Sequence, residues 1–181
     1  MVITLIGYRG AGKSTIGPAL AARLSWDFVD ADPEIERRAG RTIREIFASG
    51  GEAAFRTLEA ESLAEFLARD RLVLAPGGGA VLNAQTRERM RTAGPVVWLT
   101  APIDLILERM QNDPTTGQRR PSLTGLPPRK EIEQLLAQRE PLYADAATIR
   151  LDTAGRDVNS LVDEICRRLS LGEISSAEAG R

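Results

Sequence analysis

The sequence contains no histidine, which excludes imidazole catalysis and histidine-ligated metal sites. Its one cysteine, Cys166, excludes an internal disulfide and fits a reducing compartment. No apolar run approaches the roughly 18 residues of a membrane span. The first apolar, β-branched run starts at Met1, where a signal peptide would have to lie, so the chain is expected in the cytoplasm and off the membrane. A net charge of −1 supplies no general attraction to nucleic acid or to an anionic surface. Lysine is scarce as well: Lys13 and Lys130 are the only two among 24 Lys and Arg, so an arginine does not mark a site by its type alone.

A length of 181 residues predicts one domain with a sizeable core. One stretch organises it. Gly7-Tyr8-Arg9-Gly10-Ala11-Gly12-Lys13-Ser14 fits G-x-x-x-x-G-K-[ST], between a predicted strand over Met1–Ile6 and a predicted helix over Thr15–Leu24 with Ile16, Ala19, Leu20 and Leu24 at helical spacing. Glycines let successive backbone N–H groups converge on phosphate oxygens, and the helix N-terminus adds its positive dipole end. Lys13 would reach the β- and γ-phosphates, and the Ser14 hydroxyl would ligate Mg²⁺. The chain is expected to bind a nucleoside triphosphate.

Further strands are predicted at Asp27–Asp30, Leu72–Ala75, Val96–Leu99 and Ala147–Leu151. Helices are predicted from Asp32-Pro33-Glu34 to Gly40, from the Thr42–Glu45 capping box to Ala48, and from beyond Ser49–Glu52 to about Arg69. Others cover Asn83–Thr92, Ile103–Met110 and Glu131–Tyr143, and a last one carries Val158, Leu161, Val162, Ile165, Cys166 and Leu169 on one stripe. Cys166 therefore reads as core. Gln111–Pro128 has the length and composition of a functional lid or a disordered segment, and the tail from Leu171 is expected to fray. Strands alternating with helices imply an α/β fold: an open parallel sheet of five strands covered on both faces, with ligands at the carboxyl ends of the strands.

Asp30, at a strand end, is the candidate to hold Mg²⁺ through water. For Asp32, spacing alone leaves two readings, a helix N-cap before Pro33 or a contact to a substrate hydroxyl. Arg139 follows Ile132 by seven, Leu135 by four and Leu136 by three residues, so it points along the apolar stripe of its own helix. An inward arginine needs an anion, either an internal glutamate or a ligand carboxylate. Arg56 shares a face with Ala53, Ala60 and Leu63, and two guanidiniums at a cleft would suit a carboxylate. Pro76-Gly77-Gly78-Gly79 lets backbone approach a ligand, or makes a plain turn. Arg119 and Arg120, in the lid, either cover the γ-phosphate or are solvated. Asp152-Thr153-Ala154-Gly155 matches the D-x-x-G of GTPase switches but follows the last strand, and no lysine follows an asparagine to build N-K-x-D, so a GTPase switch is excluded.

These residues, in this order, resemble the shikimate kinase family to about Leu169. The resemblance rests on Gly7–Thr15, Phe28-Val29-Asp30-Ala31-Asp32 with Ile35-Glu36, Gly40-Arg41-Thr42-Ile43 with Ile46-Phe47, and Gly51-Glu52. It continues through Phe55-Arg56 with Glu59, the Gly77–Gly79 triplet, Arg120-Pro121 and Arg139-Glu140-Pro141-Leu142-Tyr143. It implies a nucleoside monophosphate kinase-like fold in a single domain over 1–170, with a substrate-binding segment over about 31–60, a mobile lid over about 111–128 and a frayed tail at 171–181. It implies ATP as co-substrate, Mg²⁺, and phosphorylation of the 3-hydroxyl of shikimate to give 3-phosphoshikimate and ADP, in the route to chorismate and the aromatic amino acids. By motif, Lys13, Asp32 and Arg120 would be catalytic. Gly10, Ala11, Gly12, Lys13, Ser14, Thr15, Arg109, Arg120 and Arg156 would bind nucleotide. Asp32, Arg56, Gly77, Gly78, Gly79 and Arg139 would bind shikimate, and Ser14 and Asp30 would hold the metal. A monomer without nucleic-acid or membrane partners is expected. Ser122-Leu123 departs from the aliphatic pair usual after Arg-Pro, and Thr124–Arg129 is longer than usual. The rival readings are a kinase for another small hydroxy acid such as gluconate, and a catalytically dead nucleotide-binding homologue.

Overall fold

A computed structural model of the chain describes residues 1–113 and 124–171. Five parallel strands, β1 (Val2–Ile6), β2 (Asp27–Asp30), β3 (Leu72–Ala75), β4 (Val96–Thr100) and β5 (Ile149–Asp152), form one sheet in the order β2-β3-β1-β4-β5. The strand that feeds the phosphate loop is thus central, paired with β3 through Val2↔Leu72 and with β4 through Ile6↔Trp98. Both faces are covered because the strands are apolar on both. Val2, Ile6, Leu72, Leu74, Val96 and Trp98 enter one core with Phe55, Phe66 and Tyr143. Ile3, Leu5, Val73, Val97 and Leu99 enter the other with Leu20, Leu161 and Ile165. This is the period-two alternation of strands buried on both sides.

Seven α-helices are described: α1 (Lys13–Leu24), α2 (Ala31–Ala39), α3 (Ile43–Leu67), α4 (Ala84–Ala93), α5 (Ile103–Asn112), α6 (Pro128–Ala146) and α7 (Val158–Arg168), with a 3₁₀ turn at Ala80–Leu82 before α4. Caps set most starts. Thr42 and Glu45 form the capping box of α3, Asn83 accepts from the Thr86 N–H for α4, and Asp157 accepts from the Ser160 N–H for α7. Gly40 ends α2 at φ 63°.

Several boundaries differ from expectation. The first helix starts at Lys13, two residues earlier than the apolar spacing predicts, because the loop's last turn is already helical. The helix of Asp32-Pro33-Glu34 starts at Ala31 and is capped by Asp30, whose carboxylate accepts from the Asp32 N–H. Asp32 is therefore not the N-cap. The two helices expected on either side of Ser49–Glu52 join into α3 across a kink at Gly51, which sits at φ 69°, ψ −174°. The helix predicted over Glu131–Tyr143 extends at both ends, starting on Pro128, since proline's fixed φ suits a first helical position. The last strand starts at Ile149 rather than Ala147. Cys166 is half-buried against the second core, and burial pushes its thiol up, as suits a packing residue. Residues 114–123 of the expected lid and the residues from 172 onward lie outside the described residues.

Candidate active site

The phosphate loop leaves β1 with three glycines at positive φ: Gly7 at 143°, Gly10 at 82° and Gly12 at 103°. A Cβ on Gly7 would also lie 2.4 Å from the Leu99 carbonyl oxygen, so only glycine fits there. Beneath the loop, Tyr8, Ile106, Ile132 and Leu135 make a small apolar cluster that seats it on α5 and α6. Lys13 Nζ donates to the carbonyl oxygens of Gly7 at 2.8 Å and Tyr8 at 3.1 Å, which holds the ammonium across the loop. Ser14 Oγ donates to Asp30 Oδ2 at 2.6 Å, while Asp30 Oδ1 accepts from the Asp32 N–H at 3.3 Å. The carboxylate at the end of β2 thus joins the start of α1 to the start of α2.

A cleft of about 540 Å³ runs along this edge. It gathers Gly10, Gly12, Lys13, Ser14, Thr15, Asp30, Asp32, Gly77 and Gly78 at one end, and Glu108, Arg109, Thr153 and Arg156 at the other. All but Glu108 and Arg109, which lie in the second turn of α5, are at the carboxyl ends of strands or in the first turns that follow, as the parallel sheet requires. Ala11 is buried in the loop and does not line the cleft.

The expected carboxylate clamp is arranged less simply. Arg56 does not line the main cleft; it and Gly79 line a second pocket of about 270 Å³. Its guanidinium forks between two glutamates, Nη2 to Glu52 at 2.8 Å and Nη1 to Glu59 at 2.7 Å. Burial works against the charge of Arg56, and the two carboxylates outweigh it and raise its pKa. Glu59 is 2 % exposed. The spacing Glu52, Arg56, Glu59, one turn apart along α3, was the available signal for this fork. The guanidinium lies against Gly79, where a Cβ would be 2.4 Å from Nη2. One residue earlier, the Gly78 carbonyl accepts from Tyr143 Oη at 2.6 Å, and Tyr143 stacks on Trp98 with centroids 5.7 Å apart.

Arg139 points inward, as its place on the stripe predicts, and is 5 % exposed. It lines neither pocket. Its guanidinium lies 6.0 Å from the centre of the Tyr8 ring, and its buried Nε has no hydrogen-bond partner among the described residues. At the far end of the cleft, Arg109 Nη1 donates to the Gly10 carbonyl at 3.1 Å and to Thr153 Oγ1 at 3.0 Å. Arg156 is tied to α7 through the Ser160 carbonyl at 3.2 Å and Glu164 at 2.6 Å. Arg119, Arg120 and Ser122 lie outside the described residues. Among the described residues no three His, Cys, Asp or Glu side chains form a metal cage. No helix among the described residues is long and apolar enough to cross a membrane.

A phosphate loop with lysine and serine in place, and an acid from β2 in the same cleft, define a small-molecule kinase of the phosphate-loop class. The profile of the family described as Shikimate kinase matches residues 9–170. Curated shikimate kinases from Nitratidesulfovibrio vulgaris and Symbiobacterium thermophilum are 47 % and 43 % identical. The first alignment covers 80 % of this chain and 82 % of the relative, the second 93 % and 96 %. The solved shikimate kinase from Acinetobacter baumannii in complex with shikimate superposes with a TM-score of 0.87 at 40 % identity, over 94 % of each chain. The chain belongs to the shikimate kinase family. A gluconokinase from Sinorhizobium meliloti, at 18 % identity and a TM-score of 0.61, shares the fold alone.

Proposed function

We propose that this chain transfers the γ-phosphoryl group of ATP to the 3-hydroxyl of shikimate, giving 3-phosphoshikimate and ADP, and that its residues divide the work as follows. The loop amides of Gly10–Thr15 and Lys13 cradle the phosphates and draw charge off the leaving oxygen. Ser14 and Asp30, already in contact at 2.6 Å, present a hydroxyl and a carboxylate to Mg²⁺. So small a protein donor set, one hydroxyl and one carboxylate, would suit Mg²⁺, which usually keeps several waters. Bound there, the ion would neutralise charge on the phosphates.

Asp30, not Asp32, caps α2, and Asp32 lines the cleft beside it. The Asp32 carboxylate accepts a hydrogen bond from the acceptor hydroxyl and orients that oxygen toward the γ-phosphorus. The Gly77–Gly78 backbone lines the acceptor end, and Gly79 lets Arg56 lie close behind it. Arg56 and Arg139 bind the shikimate carboxylate, Arg109 and Arg156 flank the nucleotide base, and Arg120 reaches the phosphates from the lid. Positioning and charge stabilisation then account for catalysis. Every proposed contact comes from one chain, so a monomer suffices.

The observation that carries this reading is the single cleft that joins Lys13 and Ser14 to Asp32 and Gly78. Mg²⁺-dependent release of ADP from ATP tests it, with shikimate, gluconate or no acceptor. ADP release only with shikimate is expected. Equal release with gluconate, or none with shikimate despite tight ATP binding, overturns the reading.

A further inference from the structure

Thr153 is 1 % exposed, at the turn that follows β5, inside the Asp152–Gly155 stretch that resembles a GTPase switch without being one. The turn is built locally: Asp152 Oδ1 accepts from the Ala154 N–H at 3.0 Å, and Gly155 takes φ 63°. Buried inside it, the Thr153 hydroxyl touches three other parts of the molecule. Oγ1 accepts from Arg109 Nη1 at 3.0 Å, on α5. It lies 3.1 Å from the Thr100 carbonyl oxygen at the end of β4, and 3.4 Å from the Ala11 carbonyl oxygen in the phosphate loop. The Thr153 carbonyl accepts from Arg109 Nη2 at 3.4 Å, and Arg109 Nη1 also reaches the Gly10 carbonyl at 3.1 Å. A hydroxyl has one proton and can accept as well. Thr153 Oγ1 therefore receives Arg109 while donating to one carbonyl, Thr100 being the nearer.

We propose that Thr153 is a positioning residue for the nucleotide. Arginine is long and rotamer-rich, and ordering it when a ligand arrives weakens binding. Here the order is installed beforehand. The buried hydroxyl and the Gly10 carbonyl fix the guanidinium against the phosphate loop, so the base end and the phosphate end of the cleft are held in one relation. A triphosphate nucleotide needs both ends at once, whereas an acceptor bound at Asp32 and Gly78 touches neither group. The inference rests on the proposal that Arg109 lies against the nucleotide.

Thr153→Val keeps the shape and removes the hydroxyl, and Thr153→Ser keeps the hydroxyl. The readouts are the Kd for ADP, by titration calorimetry, and the KM values for ATP and shikimate. A full hydrogen bond to a charged group is worth roughly 10- to 100-fold, and Arg109 keeps its bonds to the Gly10 and Thr153 carbonyls, so a partial loss, a rise of about 5- to 20-fold in ADP Kd and ATP KM, is expected for Thr153→Val. Shikimate KM stays within about twofold, and Thr153→Ser returns most of the loss. Should the valine variant not fold, Thr153→Ala provides the same comparison. A hydroxyl-free variant that binds ADP like the parent overturns the inference, as does one that raises both KM values equally, which marks a structural role only. Arg109→Met separates the two levels. If it weakens ADP while Thr153→Val does not, only the role of Thr153 falls; if it leaves ADP Kd unchanged, the placement of Arg109 falls as well.

Discussion

Gly79→Ala adds one carbon and changes no charge, yet the structure ties a large functional effect to it. Gly79 has φ −96° and ψ −1°, open to any residue, so its backbone needs no glycine. Space is the constraint: the new Cβ would lie 2.4 Å from Arg56 Nη2, 2.5 Å from Nη1 and 2.6 Å from Cζ. Carbon contacts settle at about 3.5 Å, so the guanidinium must withdraw by about 1 Å. The bonds that hold it, 2.8 Å to Glu52 and 2.7 Å to Glu59, would then stretch beyond hydrogen-bond range or drag both glutamates. Overpacking of this kind costs about 1–3 kcal/mol, or a fall in Tm of roughly 2–10 °C for a chain of this size. If Arg56 binds the carboxylate of shikimate, misplacing it forfeits a charge-assisted bond of about 1.5–3 kcal/mol, a rise in shikimate KM of roughly 10- to 100-fold. ATP KM should hold within about twofold, because neither Gly79 nor Arg56 belongs to the phosphate loop or to the Arg109 and Arg156 end of the cleft. Steady-state kinetics by coupled ADP detection reads both. The cycle with Arg56→Ala isolates the route: if Gly79→Ala acts through Arg56, the double variant is no worse than Arg56→Ala. An unchanged shikimate KM alongside a lowered Tm would refute the reasoning and make Arg56 a purely structural cation.

Three further outcomes are expected. Asp30→Asn should leave Tm nearly unchanged, since asparagine caps a helix as well as aspartate does, while the Mg²⁺ concentration for half-maximal rate rises at least about tenfold; an unchanged Mg²⁺ requirement removes Asp30 from the metal site. Thr4→Val should raise Tm by roughly 2–4 °C, because Thr4 Oγ1 is buried in the central strand with no hydrogen-bond partner among the described residues, at a cost of about 1 kcal/mol or more; a lower Tm contradicts this. Glu34 is held down to about 2 by hydrogen bonds from Arg37 and then Arg38. A folded pKa below the ordinary value means the stabilisation is present above about 4.5 and is lost as pH falls from there toward about 2. Glu34→Gln should therefore cost under about 1 kcal/mol at pH 7 for this exposed cluster, and nothing below about pH 2; a carboxyl titration by NMR with its midpoint near 4.5 would refute the pairing.

The parts of the fold legible in the sequence are those decided by local chemistry. β2, at Asp27–Asp30, and β3, at Leu72–Ala75, occupy the residues expected of them. The Thr42–Glu45 box starts α3 because both reciprocal bonds are local. Arg139 is legible as inward from its place among Ile132, Leu135 and Leu136. Which acid caps α2 is not local: the pairing of Asp30 with Ala75 ends β2 at that residue and puts Asp30, not Asp32, at the helix mouth. The 3₁₀ turn at Ala80–Leu82 follows the glycine triplet and carries no periodicity to read. Arg56 is legible as an unusual cation, but its grip on Glu52 and Glu59 turns the guanidinium onto Gly79 and away from the main cleft. Thr153 is invisible from pattern altogether, since its partners lie 44, 53 and 142 residues away in sequence.

The most direct test of the central claim, that arginines in this site read the carboxylate of the acceptor, compares shikimate with its methyl ester in the parent chain and in Arg139→Met. Losing the negative charge should lower kcat/KM for the ester by roughly 100-fold in the parent, as expected for one charged bond with bidentate geometry. Arg139→Met should bring shikimate down toward the ester's value and leave the ester itself nearly unaffected. An ester that turns over as well as shikimate, or an Arg139→Met variant that slows both acceptors equally, would contradict the account.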